Sequence, residues 1–257
     1  MRINSLVLHR PVTLSVVLPY SLITGKGPFR VLYALHPAME NSGIYFEKLG
    51  LSDKVDKHEF AIVAPDLGNG YFINTPYEKQ ADFLQTELMP VLCDMFPLSS
   101  CREDTSLLGI SMGAFGAAHW ALSCPEKFSK VALISGVFDA LLPLDERALK
   151  NREQQPLAKL FTGKIMPLLM LDRNGNIFPD ADIRPLYAHA ASKGASRFAL
   201  WYGDADFLSI HQSTNFVHQC QKHGIDIEVH VSPGAHNLFY WQHAIDEVLH
   251  WLMGKTN

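Results

Sequence analysis

Short apolar segments alternate with longer amphipathic segments along most of this chain, and this alternation constrains the fold more than any other feature. The apolar segments have the length of buried strands, and the amphipathic segments are long enough for helices. Because strands covered on both faces read as nearly continuous apolar runs, the pattern predicts βαβ units and a parallel sheet. The predicted strands are residues 30–36, 60–66, 105–110, 130–135, 198–202 and 226–231, and the predicted helices are 44–58, 77–96, 112–123, 208–223 and 238–253.

Two regions depart from this alternation. The first thirty residues favour an antiparallel hairpin, because residues 6–8 and 12–18 are rich in β-formers and residues 24–28 have turn composition. Residues 139–185 form a mixed, proline-containing segment between two predicted strands, where a cap over an active site can be inserted. We therefore predict one α/β domain over residues 1–257, with a mostly parallel twisted sheet, an antiparallel N-terminal hairpin, helices on both faces and a small cap at 139–185.

Composition narrows the classes of partner. The chain has a net charge of −4 and no run of Lys or Arg, so nucleic acid and anionic membrane surfaces are poor candidates. Its apolar stretches are too short to span a bilayer, and His9, Arg10 and Pro11 interrupt any signal-peptide core. We predict a cytoplasmic protein whose partner is a small molecule, and we leave open whether it forms a homo-oligomer.

The sequence Gly109-Ile110-Ser111-Met112-Gly113 follows a buried-strand run and opens a helix rich in small residues. A G-x-S-x-G sequence at a strand-to-helix turn is typical of the nucleophile elbow of the α/β-hydrolase fold. The glycines permit close approach of strand and helix, while the strained serine projects its hydroxyl. Ser111 is thus the candidate nucleophile; the alternative is a flexible Gly-Ser turn at the end of a strand.

A serine hydroxyl requires a general base, and the chain has twelve histidines. In this fold the order is Ser, then Asp or Glu, then His, with the histidine in the loop after the last strand. His236 fits, because it ends a Pro- and Gly-containing loop just after the strand predicted at 226–231. No carboxylate or Cys completes a metal-ligand set around the histidines predicted on helices, so we predict no metal; they are His211, His218, His223, His243 and His250.

The acid that orients the histidine is expected just past the preceding strand, where the chain offers Asp204 and Asp206. Asp206 is favoured, since the turn opened by Gly203 leaves room for it to face the histidine loop. Asp204 stays open, although it also suits a turn residue that hydrogen-bonds its own backbone. Asp139 is a more distant third candidate.

Acyl transfer at serine also requires two backbone N–H donors for the oxyanion. One is expected at Met112, after the nucleophile, and the other in the loop after the strand that ends at His36. Pro37 has no N–H, so Ala38 is the candidate second donor. The alternative is that Pro37 merely ends a strand and leaves the hole incomplete.

The chain resembles the bacterial tributyrin/acetyl esterase group of α/β-hydrolases, which is related to feruloyl esterases and to S-formylglutathione hydrolase (esterase D). The resemblance covers about residues 5–135 and 198–252, and its motifs are Leu35-His36, residues 65–71, 109–116, 203–207 and 234–241. It implies the roles of nucleophile, acid and base for Ser111, Asp206 and His236. It also implies oxyanion donors at Ala38 and Met112, although members usually have His-Gly where this chain has His36-Pro37.

The leading hypothesis is a serine carboxylesterase that hydrolyses short-chain esters, acetyl or feruloyl-like, through an acyl-enzyme without metal or organic cofactor. One alternative is a thioesterase or acyltransferase with the same triad, and another is a non-catalytic binding module that kept the fold. Tyr71, Phe72 and Trp241 flank the predicted loops at the carboxyl edge of the sheet, which favours an acyl or alcohol pocket. Core packing is an equally favoured interpretation of these aromatic residues.

Overall fold

The structure is a computed structural model that describes residues 1–21, 25, 27–139, 142, 144–160, 170–172 and 174–254. Its centre is an eight-stranded sheet with the order β1-β2-β4-β3-β5-β6-β7-β8. Strand β2 runs antiparallel to both β1 and β4, and the remaining pairs, from β4 to β8, are parallel. The strands are β1 Arg2–Ser5, β2 Arg10–Val17, β3 Arg30–Leu35, β4 Phe60–Asp66, β5 Thr105–Ile110, β6 Lys130–Ile134, β7 Arg197–Gly203 and β8 Ile227–Ser232.

Helices pack on both faces of this sheet. The α-helices are α1 Ser52–His58, α2 Gln80–Asp82, α3 Met89–Met95, α4 Met112–Ser123, α5 Glu146–Lys150, α6 Gln155–Leu160, α7 Arg184–Ser192, α8 Ile210–Lys222 and α9 Leu238–Met253. Among the described residues, Ile44–Lys48 and Phe83–Leu88 are π-helical, and Arg102–Asp104, Pro125–Lys127 and Pro179–Ala181 are 3₁₀-helical.

The central strand β3 shows why the predicted strands lack alternation. Val31, Tyr33 and Leu35 pack with residues of α4 and α8 on one face. Leu32 and Ala34 pack with residues of α1 and α9 on the other face. Because successive side chains point to opposite faces, a strand between two helical layers is apolar at every position. This arrangement confirms the predicted α/β fold class with its mostly parallel sheet.

The N-terminal hairpin is present, but the prediction of a strand at residues 6–8 was wrong. The first strand is Arg2–Ser5, and residues 6–9 form the turn. The Glu87 carboxylate accepts hydrogen bonds from the Leu6 and Val7 N–H groups at 2.8 and 3.1 Å and from the Ser5 hydroxyl at 2.6 Å. A carboxylate distant in sequence therefore closes the turn. The β propensity of residues 6–8 carries no information about such a long-range contact. Residues 24 and 26 of the predicted second turn lie outside the described residues.

Two predicted helices are interrupted. The helix predicted at 44–58 is the π-helical segment Ile44–Lys48 followed by α1, and Gly50 between them has a φ of +65°. The helix predicted at 77–96 runs from Gln80 to Met95, with the π-helical segment just before Pro90. Proline cannot donate to the preceding turn, and a wider π turn is one way in which a helix accommodates that loss.

The region predicted as a cap is only partly described, because residues 140–141, 143, 161–169 and 173 lie outside the described residues. Its described helices α5 and α6 pack on the loop after β7. Gln154 donates from Nε2 to the Ala205 carbonyl at 2.8 Å, and the Arg147 guanidinium lies 4.4 Å from the centre of the Phe207 ring. Ala148, Ala158 and Leu208 form a small apolar cluster beneath these contacts. A cap function for this region stays a prediction, as does the single domain over residues 1–257.

No helix in the described ranges is long and apolar enough to cross a membrane.

Candidate active site

Ser111 lies in a tight turn between β5 and α4, with φ +54° and ψ −113°. A residue other than glycine is strained at such a positive φ, by about 1–3 kcal/mol. The turn requires glycine on both sides. A Cβ at position 109 would lie 2.1 Å from the Gly113 carbonyl oxygen, and one at position 113 would lie 1.8 Å from the Leu35 carbonyl oxygen. The backbone N–H of Ser111 donates to the Ile134 carbonyl of the neighbouring strand at 2.8 Å, which fixes the turn against the sheet.

Three side chains that are far apart in sequence meet at this turn. Ser111 Oγ lies 3.0 Å from His236 Nε2, and His236 Nδ1 lies 3.0 and 3.1 Å from the two Asp206 carboxylate oxygens. All three residues are buried. With Nδ1–H donating to the carboxylate, Nε2 is left as the acceptor for the serine proton. The arrangement is therefore able to remove a proton from Ser111 and to stabilise the imidazolium that results.

The surroundings of Asp206 favour its ionised form. Burial raises the pKa of this carboxyl, but the charge of His236 and hydrogen bonds from His236, Ser135 and Ser209 outweigh burial, so its pKa lies below the ordinary value for aspartate. The Ser209 backbone N–H donates to Oδ1 at 3.1 Å. A buried carboxylate that accepts several hydrogen bonds keeps its charge at neutral pH.

The two rival aspartates make other contacts. Asp204 Oδ1 accepts a hydrogen bond from the Gly234 N–H at 3.1 Å, which ties the loop after β7 to the loop that bears His236. The backbone N–H and carbonyl of Asp139 bond to the side chain of Gln212 at 2.7 and 3.0 Å. Asp206, not Asp204, is thus the carboxylate that meets His236 after β7.

Sequence reasoning missed Ser135, which follows β6 with a φ of +53° and is buried. Its hydroxyl accepts a hydrogen bond from the indole Nε1 of Trp241 at 3.2 Å, and it is one of the groups that lower the pKa of Asp206. The Trp241 ring also packs edge-on against His236, with centroids 5.6 Å apart. The only sequence signal is a Ser-Gly pair at the end of a predicted strand, which by itself indicates a turn.

The other two predicted pocket aromatics are part of the core. Tyr71 is buried and packs edge-on against Phe115 at 5.8 Å. Phe72 is also buried and packs edge-on against His36 at 5.3 Å. Their burial favours the core-packing interpretation for both residues, whereas Trp241 borders the catalytic histidine candidate. Contact of any of the three with substrate stays a prediction.

The loop that bears the predicted second oxyanion donor lies against the first turn of α4. Because Gly113 has no side chain, the Leu35 and His36 carbonyl groups approach this turn closely. In the described part of the chain, neither the Ala38 N–H nor the Met112 N–H donates to a protein acceptor. Among the described residues both amides therefore keep their donor capacity, Met112 at the first position of α4 and Ala38 in the loop after β3, where an oxyanion hole is expected.

Among the described residues, no group of three or more His, Cys, Asp or Glu side chains could hold a metal ion.

Comparisons with known proteins point to esterases. The family described as "Putative esterase" matches residues 5–160. The acetyl esterase of Caldicellulosiruptor saccharolyticus is 21% identical over 234 residues, which are 87% of this chain and 83% of that protein. The substrate-bound structure of the fluorophosphonate-binding serine hydrolase FphF of Staphylococcus aureus superposes with a TM-score of 0.80 and 21% identity, over 99% of this chain and 97% of that one.

The S-formylglutathione hydrolase FrmB of Staphylococcus aureus superposes with a TM-score of 0.76 and 20% identity, over 99% of this chain and 97% of that one. These structural likenesses establish the fold, and the match to the esterase family confirms the resemblance seen in the sequence motifs.

Proposed function

Because the chain belongs to this esterase family, whose match covers more than half of it, we propose that it is a serine carboxylesterase with Ser111 as nucleophile, His236 as general base and Asp206 as the orienting acid. The single observation that carries the proposal is the continuous hydrogen-bonded path from Ser111 Oγ through the imidazole to the Asp206 carboxylate. Small esters are the substrates that such a site processes without a metal or an organic cofactor.

The first half of the reaction acylates the enzyme. His236 Nε2 takes the hydroxyl proton as Ser111 Oγ attacks the acyl carbon, and the N–H groups of Ala38 and Met112 stabilise the oxyanion of the tetrahedral intermediate. The bond between the acyl carbon and the alcohol oxygen then breaks, and His236 gives its proton to the departing alcohol. Throughout this step Asp206 holds the imidazole in orientation and stabilises its positive charge.

The second half regenerates the enzyme. Water attacks the acyl carbon while His236 takes one of its protons, and the collapse of the second intermediate returns that proton to Ser111 Oγ as the carboxylic acid leaves. The site thus begins and ends with a neutral imidazole and a protonated serine.

Short acyl groups are the proposed substrates, in keeping with the acetyl esterase to which the chain is similar over most of its length. The second candidate is thioester hydrolysis by the same triad, which the likeness to an S-formylglutathione hydrolase favours. Transfer of the acyl group to an alcohol is a variant of the same chemistry. A non-catalytic role loses its main support, because Pro37 is followed by an amide donor at Ala38 that has no protein acceptor in the described part of the chain.

The test is the Ser111→Ala variant, assayed with p-nitrophenyl acetate. We expect kcat/KM to fall by about 10⁴-fold or more, because the nucleophile and the base act as a unit. The matched control is Ser123→Ala, at the other end of α4, which is expected to retain wild-type turnover. Full turnover by Ser111→Ala would contradict the proposal.

Product analysis distinguishes the three reactions that the same triad can support, which are ester hydrolysis, thioester hydrolysis and acyl transfer. Wild-type protein is offered acetyl esters, formyl thioesters and a competing alcohol under identical conditions. An ester hydrolase yields the free acid from the oxygen ester, a thioesterase prefers the thioester, and an acyltransferase yields the new ester of the alcohol. Labelling of Ser111 by a fluorophosphonate, followed by mass spectrometry of the labelled peptide, confirms that the same serine serves each activity.

A further inference from the structure

Two loops meet beside the predicted oxyanion hole: the loop after β3, which contains Ala38 and Met39, and the loop after β4, which contains Asn69. The backbone N–H of Met39 donates to Asn69 Oδ1 at 2.8 Å, and Asn69 Nδ2 lies 3.7 Å from the Met39 sulfur. Met39 has a φ of +66°, although it is not glycine. A left-handed conformation of this kind persists only where neighbouring groups hold it, and Asn69 is the group that holds it here.

The loop after β4 is anchored by one buried side chain. Gln80 accepts from the Phe72 N–H at 3.0 Å and donates from Nε2 to the Leu67 carbonyl at 2.7 Å. A Cβ at Gly70 would lie 2.2 Å from this Gln80 nitrogen, so the loop closes tightly on the amide. Asn69 therefore projects from a segment that is fixed on both sides of it.

A second contact acts on the preceding peptide. His36 Nδ1 lies 2.9 Å from the Pro37 carbonyl oxygen, so the ring donates to this oxygen. That carbonyl belongs to the same planar trans peptide as the Ala38 N–H, and the two groups point in opposite directions. Holding the carbonyl against the His36 ring consequently directs the Ala38 N–H away from that ring. Asn69 fixes the next peptide along, which joins Ala38 to Met39.

We propose that Asn69 is a positioning residue for the oxyanion hole: together with His36 it fixes the two successive peptide planes that flank Ala38, and so aims the Ala38 N–H at the acyl oxygen. The inference rests on the proposed function. It also selects between two neighbouring amides of this loop: Asn69 engages the Met39 N–H, and the Ala38 N–H is left to act on the oxyanion together with the Met112 N–H.

The test compares Asn69→Ala with wild-type protein in steady-state kinetics. Loss of a whole oxyanion donor typically lowers kcat by 10²–10³-fold, and a donor that is misaimed but present should lower it by about 10-fold. We expect KM to change by less than about twofold, because a group that acts only on the transition state does not alter ground-state binding. Affinity for a boronic acid, whose adduct with Ser111 places an oxygen in the hole, should fall in parallel with kcat/KM.

The matched control is Lys48→Met. Lys48 forms an ion pair with Glu40, the residue after Met39, at 2.6 Å. Losing that pair perturbs the same loop without touching the amides of residues 38 and 39, and kcat should stay at the wild-type value. Hydrogen exchange of residues 36–42 supplies a readout independent of turnover, because the Met39 amide should exchange faster in Asn69→Ala and not in Lys48→Met.

Three results would overturn the inference. One is an unchanged kcat in Asn69→Ala despite faster exchange of the Met39 amide. Another is a raised KM at constant kcat, which identifies Asn69 as a substrate contact instead. The third is ester turnover that does not depend on Ser111; this result removes the proposed function as well, and it is recognised separately because it is measured on Ser111→Ala.

Discussion

The two halves of the candidate site depend on different kinds of groups. The proton-transfer half consists of Ser111, His236 and Asp206, three buried side chains joined by hydrogen bonds near 3 Å. The proposed oxyanion half consists of the backbone N–H groups of Ala38 and Met112, whose direction depends on the conformation of the loop and the helix end that carry them. A substitution in the first half changes the chemistry directly. In the second half almost any side chain is compatible with the donor, and only the orientation of the peptide matters.

The two halves must therefore be tested by different kinds of substitution. Three side chains can be replaced one at a time, so each part of the proton path can be tested by exchanging a functional group. The amides cannot be exchanged in that way, and their contribution is reached only through residues that shape the loop.

Asp206→Asn should damage the proton-transfer half most severely while leaving the fold intact. An amide in place of the carboxylate favours the wrong imidazole tautomer, and we expect kcat to fall by about 10⁴-fold at neutral pH. Asp204→Asn is the matched control, since the new amide keeps the oxygen that accepts from the Gly234 N–H. Its kcat should stay within about threefold of wild type, because that hydrogen bond is preserved. Equal losses in the two variants would show that the loop, and not the buried charge, controls catalysis.

Gly113→Ala should damage the oxyanion half with a single methyl group. The new Cβ would lie 1.8 Å from the Leu35 carbonyl oxygen and 2.8 Å from that of His36, both of which are backbone atoms. We expect the free energy of unfolding to fall by about 1–3 kcal/mol and kcat to fall by about 10²-fold as the loop moves away. Denaturant titration and steady-state kinetics measure the two effects.

Gly116→Ala, one turn later on α4, is the comparison for that variant. Its Cβ would lie 2.6 Å from the Phe72 ring and 2.7 Å from the Phe72 Cβ, so the new methyl group displaces a core side chain and not the carbonyl groups of the oxyanion loop. We therefore expect a smaller loss of kcat than in Gly113→Ala. Equal losses of kcat would argue that α4 as a whole, and not its contact with the oxyanion loop, limits the reaction.

His36→Gln should reveal a small dependence of stability on pH that belongs to the oxyanion half. Burial lowers the pKa of His36 below its usual value of 6.5. The unfolded chain therefore binds a proton at this residue at higher pH than the folded chain does, so stability is lost as the pH falls below about 6.5. Between pH 7 and 5 the urea midpoint of His36→Gln should fall less than that of wild type.

Two other histidines serve as references for this measurement. His119, whose pKa burial lowers to about 4, acts with the same sign in both proteins, so the variant should still lose some stability in acid. His243→Gln, at an exposed position of α9, should follow the wild-type curve. Parallel curves for wild type and His36→Gln would mean that the folded protein takes up the proton at His36 without penalty.

Much of this architecture could be predicted from the sequence because its signals are local. The strands β4 and β5 and the helices α4 and α9 have the predicted bounds, since each is a continuous apolar or amphipathic run that ends at a turn-forming residue. Ser111 was identifiable because the elbow requires glycine at 109 and 113 for steric reasons that hold in any such turn. His236 was predicted from chain order and its position after the last strand, and the same reasoning favoured Asp206 for the acid while leaving Asp204 open.

What the sequence did not reveal depends on contacts between distant segments. Ser135 and Asn69 occupy turns, where serine and asparagine are common for local reasons, and only the fold brings them to Asp206 and Met39. The turn at residues 6–9 depends on Glu87 in the same way. Pro90 indicates that the helix predicted at 77–96 is irregular, but it does not show that the irregularity is the π-helical segment Phe83–Leu88.

The packing of α5 and α6 on the loop that carries Asp206 has a consequence for engineering. Gln154 binds the Ala205 carbonyl, and Arg147 covers the Phe207 ring, on the two sides of the acid. Residues 144–160 are consequently not an exchangeable module: a graft from a homologue with other side chains at these positions would disturb the loop that carries Asp206. Libraries that accompany such a graft should keep Asp206 and diversify Ala205 and residues 207–211 jointly with it, so that variants in which the acid regains its position are present in the pool.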